Sequence, residues 1–302
     1  MHSAPRTEYK RNIKWKNALS FIAFVGPALL FFLVIQIIPF FMGIYYSFTS
    51  WNGISAAVEW VGLENYIKIF TNDKKFFNSF LFTTKFMIAA VIISNLLGFA
   101  LALMLNGALK TKNLMRTVFF MPNVIGGLLL GFIWQFIFVK GFASIGKLTD
   151  IGVFKLAWLG DEATAFWGIV IVFAWQTAGY MMIIYIAALQ GVDKSLIEAA
   201  RIDGASNWNV LIKIIVPLIL PAFTICFFLT TSMAFKIFDI NISLTNGGPF
   251  NSTESVAINI YREAFQFNNF GLGTAKAILF FVIVAAFTTV QVIMTKRKEV
   301  EV

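Results

Sequence analysis

Apolar residues in this chain gather in long unbroken runs, near residues 18 to 47, 77 to 106, 117 to 139, 164 to 189, 214 to 238 and 273 to 295. A hydrocarbon core about 30 Å thick takes roughly 20 helical residues to cross, and each run is long enough. Barrel strands would be about ten residues long and would alternate apolar with polar positions; these runs do neither. The pattern predicts an all-α membrane protein, a bundle of six transmembrane helices. Its sections are a tail over 1–17, a first helix and outer loop over 18–75, a core over 76–295 and a second tail over 296–302.

Composition agrees, with 59% hydrophobic and only 13% charged residues and a mean hydropathy of +0.79, too apolar for a soluble domain of this length. Charge placement orients the bundle. Arg6, Lys10, Arg11, Lys14 and Lys16 in the first tail, Lys110, Lys112 and Arg116 after the second run, and Lys296-Arg297-Lys298 at the end all fall on one side of a six-span chain. The opposite loops, 48 to 76, 140 to 163 and 240 to 272, mix their signs. By the positive-inside rule both termini are cytoplasmic. The net charge of +9 then reads as topology and contact with anionic membrane lipid, and not as a nucleic-acid surface. The first run is too long for a cleaved signal and is expected to stay as an anchor.

The chemical inventory mostly excludes. Cys226 is the single cysteine and His2 the single histidine, so neither a disulfide frame nor a zinc, haem or His-based catalytic site is expected. Gly141, four residues, then Gly146-Lys147 mimics a phosphate-binding loop, but Leu148 stands where the magnesium-binding Ser or Thr belongs. No catalytic residue and no ATPase activity are therefore expected. Lys85, Lys236, Asp239 and Lys276 fall toward the outer ends of their runs, where long side chains can snorkel. Lys236 and Asp239, three apart, are expected to pair.

One polar island between the fourth and fifth runs stands out: Glu198-Ala199-Ala200, then Asp203-Gly204-Ala205, then Pro217 and Pro221. A short helix is expected to start at Asp193 as cap, Gly204 to turn left-handed and end it, and a second helix to run from about Asn207 into the membrane. Pro217 and Pro221 would bend the entrance of the fifth span. The product is a thin knob that can enter a groove on a soluble partner, with Glu198 and Asp203 meeting basic groups there.

This spacing resembles the cytoplasmic coupling loop of binding-protein-dependent ABC importer permeases, and the likeness runs over roughly 20 to 295. Val61-Gly62-Leu63-Glu64-Asn65-Tyr66, Arg116 to Pro122, Trp134, Trp158-Leu159, Trp175, Gly179, Ala188-Leu189-Gln190, Leu244-Thr245-Asn246-Gly247-Gly248-Pro249 and Ser252-Thr253 resemble the sugar branch, the maltose-type inner-membrane components. The resemblance implies a type I importer permease fold and ATPase coupling through Glu198, Ala199, Ala200, Asp203, Gly204, Ala205 and Pro217. It also implies a second permease subunit, two ATPase subunits that bind the ATP and Mg, so that this chain needs no cofactor or metal of its own, and an extracytoplasmic sugar-binding protein. A bacterial or archaeal plasma membrane is implied as the location. Lys276 departs from the family pattern, which runs small and neutral there.

A sugar offers hydroxyls and apolar C–H faces, so its path wants amides, hydroxyls and aromatics at membrane depth. Trp175, Gln176, Thr177 and Tyr180 in the fourth run and Thr230, Thr231, Phe235 and Phe238 in the fifth supply them. Tyr180 and the stretch from Thr230 to Phe235 match the span positions that line sugar sites in maltose-type permeases. The same groups also serve helix packing. An importer of a polyol or glycerol phosphate ester, a cation-coupled carrier and a purely structural membrane protein stay open as other readings.

Overall fold

The computed structural model describes residues 21–107 and 109–297. The basic residues of the 1–17 tail, His2, the start of the first run and Lys298 lie outside these. In chain order the longer helices are α1 (Phe21–Ser47), α2 (Glu64–Asn72), α3 (Lys74–Leu105), α4 (Lys112–Val124), α5 (Gly127–Thr149), α6 (Glu162–Gln190), α7 (Lys194–Ile202), α8 (Asn207–Leu218), α9 (Leu220–Phe235), α10 (Asp239–Leu244), α11 (Val256–Tyr261) and α12 (Phe270–Lys296). Five helices are long and apolar enough to cross a membrane, six when α8 and α9 count as one bent span. The chain divides into two compact units, one up to Lys68 with Glu263–Ile278, the other Ile69–Arg262 with the residues from Leu279 on.

In the first unit the Val61–Tyr66 motif ties down the end of α1. Asn65 donates its amide to the carbonyls of Ser47 and Thr49 at 2.9 and 2.8 Å, and the Tyr66 hydroxyl meets Ser47 Oγ at 2.8 Å. Lys276 was expected to snorkel, and it does not. Its side chain is 1% exposed and its Nζ lies 2.8 Å from Glu263 Oε2, while Asn269 holds the other carboxylate oxygen at 2.8 Å. A carboxylate within reach is a better partner for a desolvated ammonium than distant water, which is why the side chain folds inward.

The second unit is organised on α6, with 67% of its apolar stretch buried. α3 runs parallel to it, with contacts advancing together from Phe82–Phe166 and Phe86–Phe173 to Phe99–Tyr185. A Cβ on Gly98 would sit 2.7 Å from Met181 Cβ, so the two helices touch at backbone range. α4 and α5 run antiparallel to α6, since Phe119 lies against Gly179, Trp134 against Trp175 and Phe138 against Gly168. α9 crosses beside both, and a polar knot joins the three: Tyr185 Oη donates to Asn95 Oδ1 at 2.8 Å and Asn95 Nδ2 to Thr230 Oγ1 at 3.2 Å. Such interhelical bonds contribute about 0.6 kcal/mol each in lipid.

Two boundaries differ from the expected ones. The third run does not form one helix from 117 to 139; it is broken at Ile125–Gly126, after Pro122, and α5 then continues ten residues further, to Thr149. Pro122 removes a helical donor, and the turn that follows is tolerable at depth only because Gln176 of α6 donates to the Ile125 carbonyl at 3.1 Å. The extension means that the Gly141–Lys147 stretch is helix with Gly141 in the right-handed region, not a phosphate-cradling loop. Lys85 is exposed, as expected. Lys236 and Asp239 make no ion pair with each other: Lys236 caps the end of α9 and Asp239 opens α10, which lies along α5 at Gly127 and Gly131.

Gly179 has the tightest approach to a backbone atom among the described glycines. A Cβ on Gly179 would lie 1.9 Å from the Phe119 carbonyl oxygen, whereas one on Gly43 would meet nothing within 4 Å. Gly179→Ala is expected to push α4 off α6 and cost about 1–3 kcal/mol or more, lowering the melting temperature in detergent, while Gly43→Ala leaves it in place.

Candidate functional site: the coupling loop and the α6 strip

α6 ends at Gln190, and the chain then makes a helix, a turn and a second helix, as the local residues dictate. Asp193 caps α7, accepting from the Ser195 N–H at 2.9 Å; these bonds hold its carboxyl below the usual carboxylate range. Because the folded state favours the ionised form, the cap acts above the ordinary carboxylate pKa and fades as pH falls through its lowered value. α7 has no buried residue. Gly204 follows at φ +80° with open space where a Cβ would stand, and Ala205 N–H closes back on the Ala200 carbonyl at 2.9 Å. Ser206 caps α8, accepting from Asn209 N–H at 3.3 Å.

Glu198, Ala199, Asp203 and Gly204 are exposed, and Ala200 and Ala205 half-buried. Pro217 lies near the end of α8, and α8 and α9 meet at Ile219 at an angle of 70°. The loop thus projects as a bare amphipathic knob whose axis is set apart from that of the span it feeds. It shares its end of the bundle with the Lys110–Arg116 segment, since Leu105 and Leu189, which precede the two loops, fall in one buried cluster.

The seven path residues do not share one surface. On α6, Trp175 is 42% exposed, and Gln176 and Tyr180 are half-buried; Gln176 and Tyr180, four apart, share a face, from which Trp175 is turned by about 100°. Thr230, Thr231 and Phe235 are buried within α9. Thr230 Oγ1 donates to the Cys226 carbonyl at 2.6 Å and accepts from Asn95, and Phe235 packs edge-on against Phe280 and Phe287. Phe238 is half-buried, edge-on to Tyr261 at 5.5 Å. Thr177 is also buried, bonded to Ser94 Oγ at 2.8 Å.

The seam between α4–α5 and α6 was not legible as a unit in the sequence. Trp134 meets Trp175 edge-on at 5.5 Å, and its Nε1 is buried without a hydrogen-bond partner, as is Arg116 Nε nearer the coupling loop. Pro122 followed by Gly126-Gly127 was the available signal for the break that shapes it.

Residues 94–300 match the family described as binding-protein-dependent transport system inner membrane component. The chain is 45% identical over 287 residues to the probable starch degradation products transport system permease protein AmyD of Thermoanaerobacterium thermosulfurigenes, spanning 95% of this chain and 97% of that protein. It is 32% identical to the multiple sugar-binding transport system permease protein MsmF of Streptococcus mutans, over 89% and 93% of the two chains. Its fold aligns at a TM-score of 0.80 and 19% identity with a chain of a bacterial ABC transporter involved in the import of the acidic polysaccharide alginate, covering 96% of this chain and 99% of that one. A family match over more than half of the chain, and 45% identity along nearly all of it, make this protein a multi-pass membrane permease, a member of the binding-protein-dependent transport system inner membrane components.

Proposed function

We propose that this chain is the permease subunit of an ATP-driven importer of oligosaccharides, lining half of the path beside a second, different permease chain. An extracytoplasmic binding protein delivers the sugar, and two ATPase subunits, which bind the ATP and Mg, dock on the coupling loops. Both termini and the coupling loop face the cytoplasm of a bacterium or archaeon. One observation carries the reading: a capped helix with no buried residue, a glycine turn at φ +80° and a 70° bend directly beyond it, a lever that nothing among the described residues covers. The sugar class is supported by the names of the relatives and by the indole, amide and phenol of Trp175, Gln176 and Tyr180 along α6.

The assembled importer tests the reading directly. With binding protein present, ATP hydrolysis should rise on addition of starch-derived oligosaccharides and stay flat with amino acids or glycerol phosphate esters. A polyol or phosphate ester as the sole stimulant overturns the sugar assignment.

Gly204→Asp addresses the lever. The substitution costs about 1 kcal/mol for the left-handed backbone, and a carboxylate buried unpaired at the contact costs several more. At about 1.4 kcal/mol per tenfold, ATPase subunits should be lost on purification and uptake abolished, with membrane insertion unchanged. Normal uptake with the ATPase still bound refutes coupling through this loop.

Orientation is read by labelling. The native Cys226 is buried, so Lys112→Cys and Arg297→Cys should react with an impermeant thiol reagent only in opened cells, and Phe250→Cys, at a residue 91% exposed in the loop before α11, in intact ones.

A further inference from the structure

We propose that the cavity between α4 and α6 at the coupling-loop end is a second sugar-binding station, one that receives the sugar on its way out of the membrane. It has a volume of about 380 Å³ and is lined by Arg116, Thr117 and Phe120 of α4 and by Ile183, Ile186 and Gln190 of α6, among others. That size is at the lower end of small-ligand pockets, about 300–1,000 Å³, and suits the end of an oligosaccharide more than a long chain. The proposal rests on the sugar-import reading above and adds a place and residues to it.

The chemistry of the lining points to a hydroxyl-rich guest. A guanidinium carries five N–H donors. Arg116 spends one on the Leu105 carbonyl at 2.9 Å, which caps the end of α3 and fixes the group, and its Nε is buried without a partner. That nitrogen is closed to any guest, but Nη1 makes no hydrogen bond among the described residues and is not enclosed, and a sugar hydroxyl is an acceptor it can engage. Thr117 and Gln190 are exposed beside it, and Phe120 offers a ring face.

The other exposed span surface of this unit is more uniformly apolar. The exposed side chains of the second half of α12 are Phe281, Val282, Phe287, Val290, Ile293 and Met294, with Ala286 and Thr289 among them and Lys296 at its end. α6, by contrast, interleaves the exposed Ile171 and Ile183 with an indole, an amide and a phenol and ends beside a guanidinium, groups that hydrocarbon solvates badly.

The test uses the complete importer, reconstituted with binding protein and ATP. In Thr117→Cys, the thiol at position 117 should react with an impermeant reagent from the coupling-loop side. Transported oligosaccharide under turnover should slow that reaction about threefold, the factor expected for a site filled at about twice its Kd, and a sugar that is not transported should leave it unchanged. Trp175→Cys is run in parallel. Protection at 175 without protection at 117 overturns the station and leaves the sugar path standing; protection at neither overturns both. Slowing by anionic-lipid vesicles regardless of sugar assigns the cavity to a lipid headgroup and overturns the proposal. Arg116→Lys, which keeps a donor for Leu105 but loses the planar fork, combined with Gln190→Leu, should lower the maximal import rate about tenfold, while the concentration of loaded binding protein giving half-maximal import stays the same. A changed half-maximal concentration with unchanged maximal rate places these residues in docking and not in release.

Discussion

The second unit depends on how closely other helices can approach the backbone of α6. In lipid there is no hydrophobic force to press one apolar helix on another, so association relies on close packing and on the few hydrogen bonds that helices can share. Gly179 lets the Phe119 carbonyl come to where a side chain would otherwise stand, and Gly98 does the same for α3 against Met181 and Ala178. Helices held at backbone range on two sides of α6 cover most of it, leaving Trp175 half open beside the α5 seam and Gln190 at the mouth of the cavity near Arg116.

A second constraint is that backbone polar groups at membrane depth need partners. The chain breaks helices twice inside its apolar runs, and each break is tied to proline. At Ile125 the freed carbonyl is taken up by Gln176. At Ile219 the helices flanking the break keep Pro217 and Pro221 near their ends, and the Ile219 N–H still reaches the Ile215 carbonyl at 3.1 Å. The breaks therefore cost little hydrogen bonding and set direction. The first separates α4 from α5; the second turns α8 by 70° from α9.

The coupling loop itself is built almost entirely from local interactions. Asp193 and Ser206 cap its two helices, and the Gly204 turn is closed by the bond from Ala205 to Ala200. An element that holds its shape without burial in its own chain can bury itself in another. It continues directly through the bent α8 into α9, which is knotted to α3 and α6 at Thr230, Asn95 and Tyr185.

How much of this was written in the sequence depends on the range of the interactions involved. The membrane class, the apolar runs and the helix–glycine turn–helix after α6 were legible because each is fixed by neighbours in the chain: continuous apolar length, a capping Asp, a glycine free to turn left-handed, a pair of prolines. Contacts between distant residues were not legible. Thr230, Thr231 and Phe235 have the right chemistry for a sugar, yet the rotation of α9 buries them, and one sequence does not state which face of an evenly apolar helix points inward. Lys276 looks like a snorkelling lysine until Glu263, thirteen residues earlier, is seen 2.8 Å away. Pro122 announces a break, but that a glutamine from α6 would make it tolerable, and that Arg116 would line a cavity beside Gln190, followed only from tertiary packing. Local propensity fixes where helices begin, bend and end; which side chains meet is decided by how closely their backbones approach, and that distance is a property of the assembled bundle.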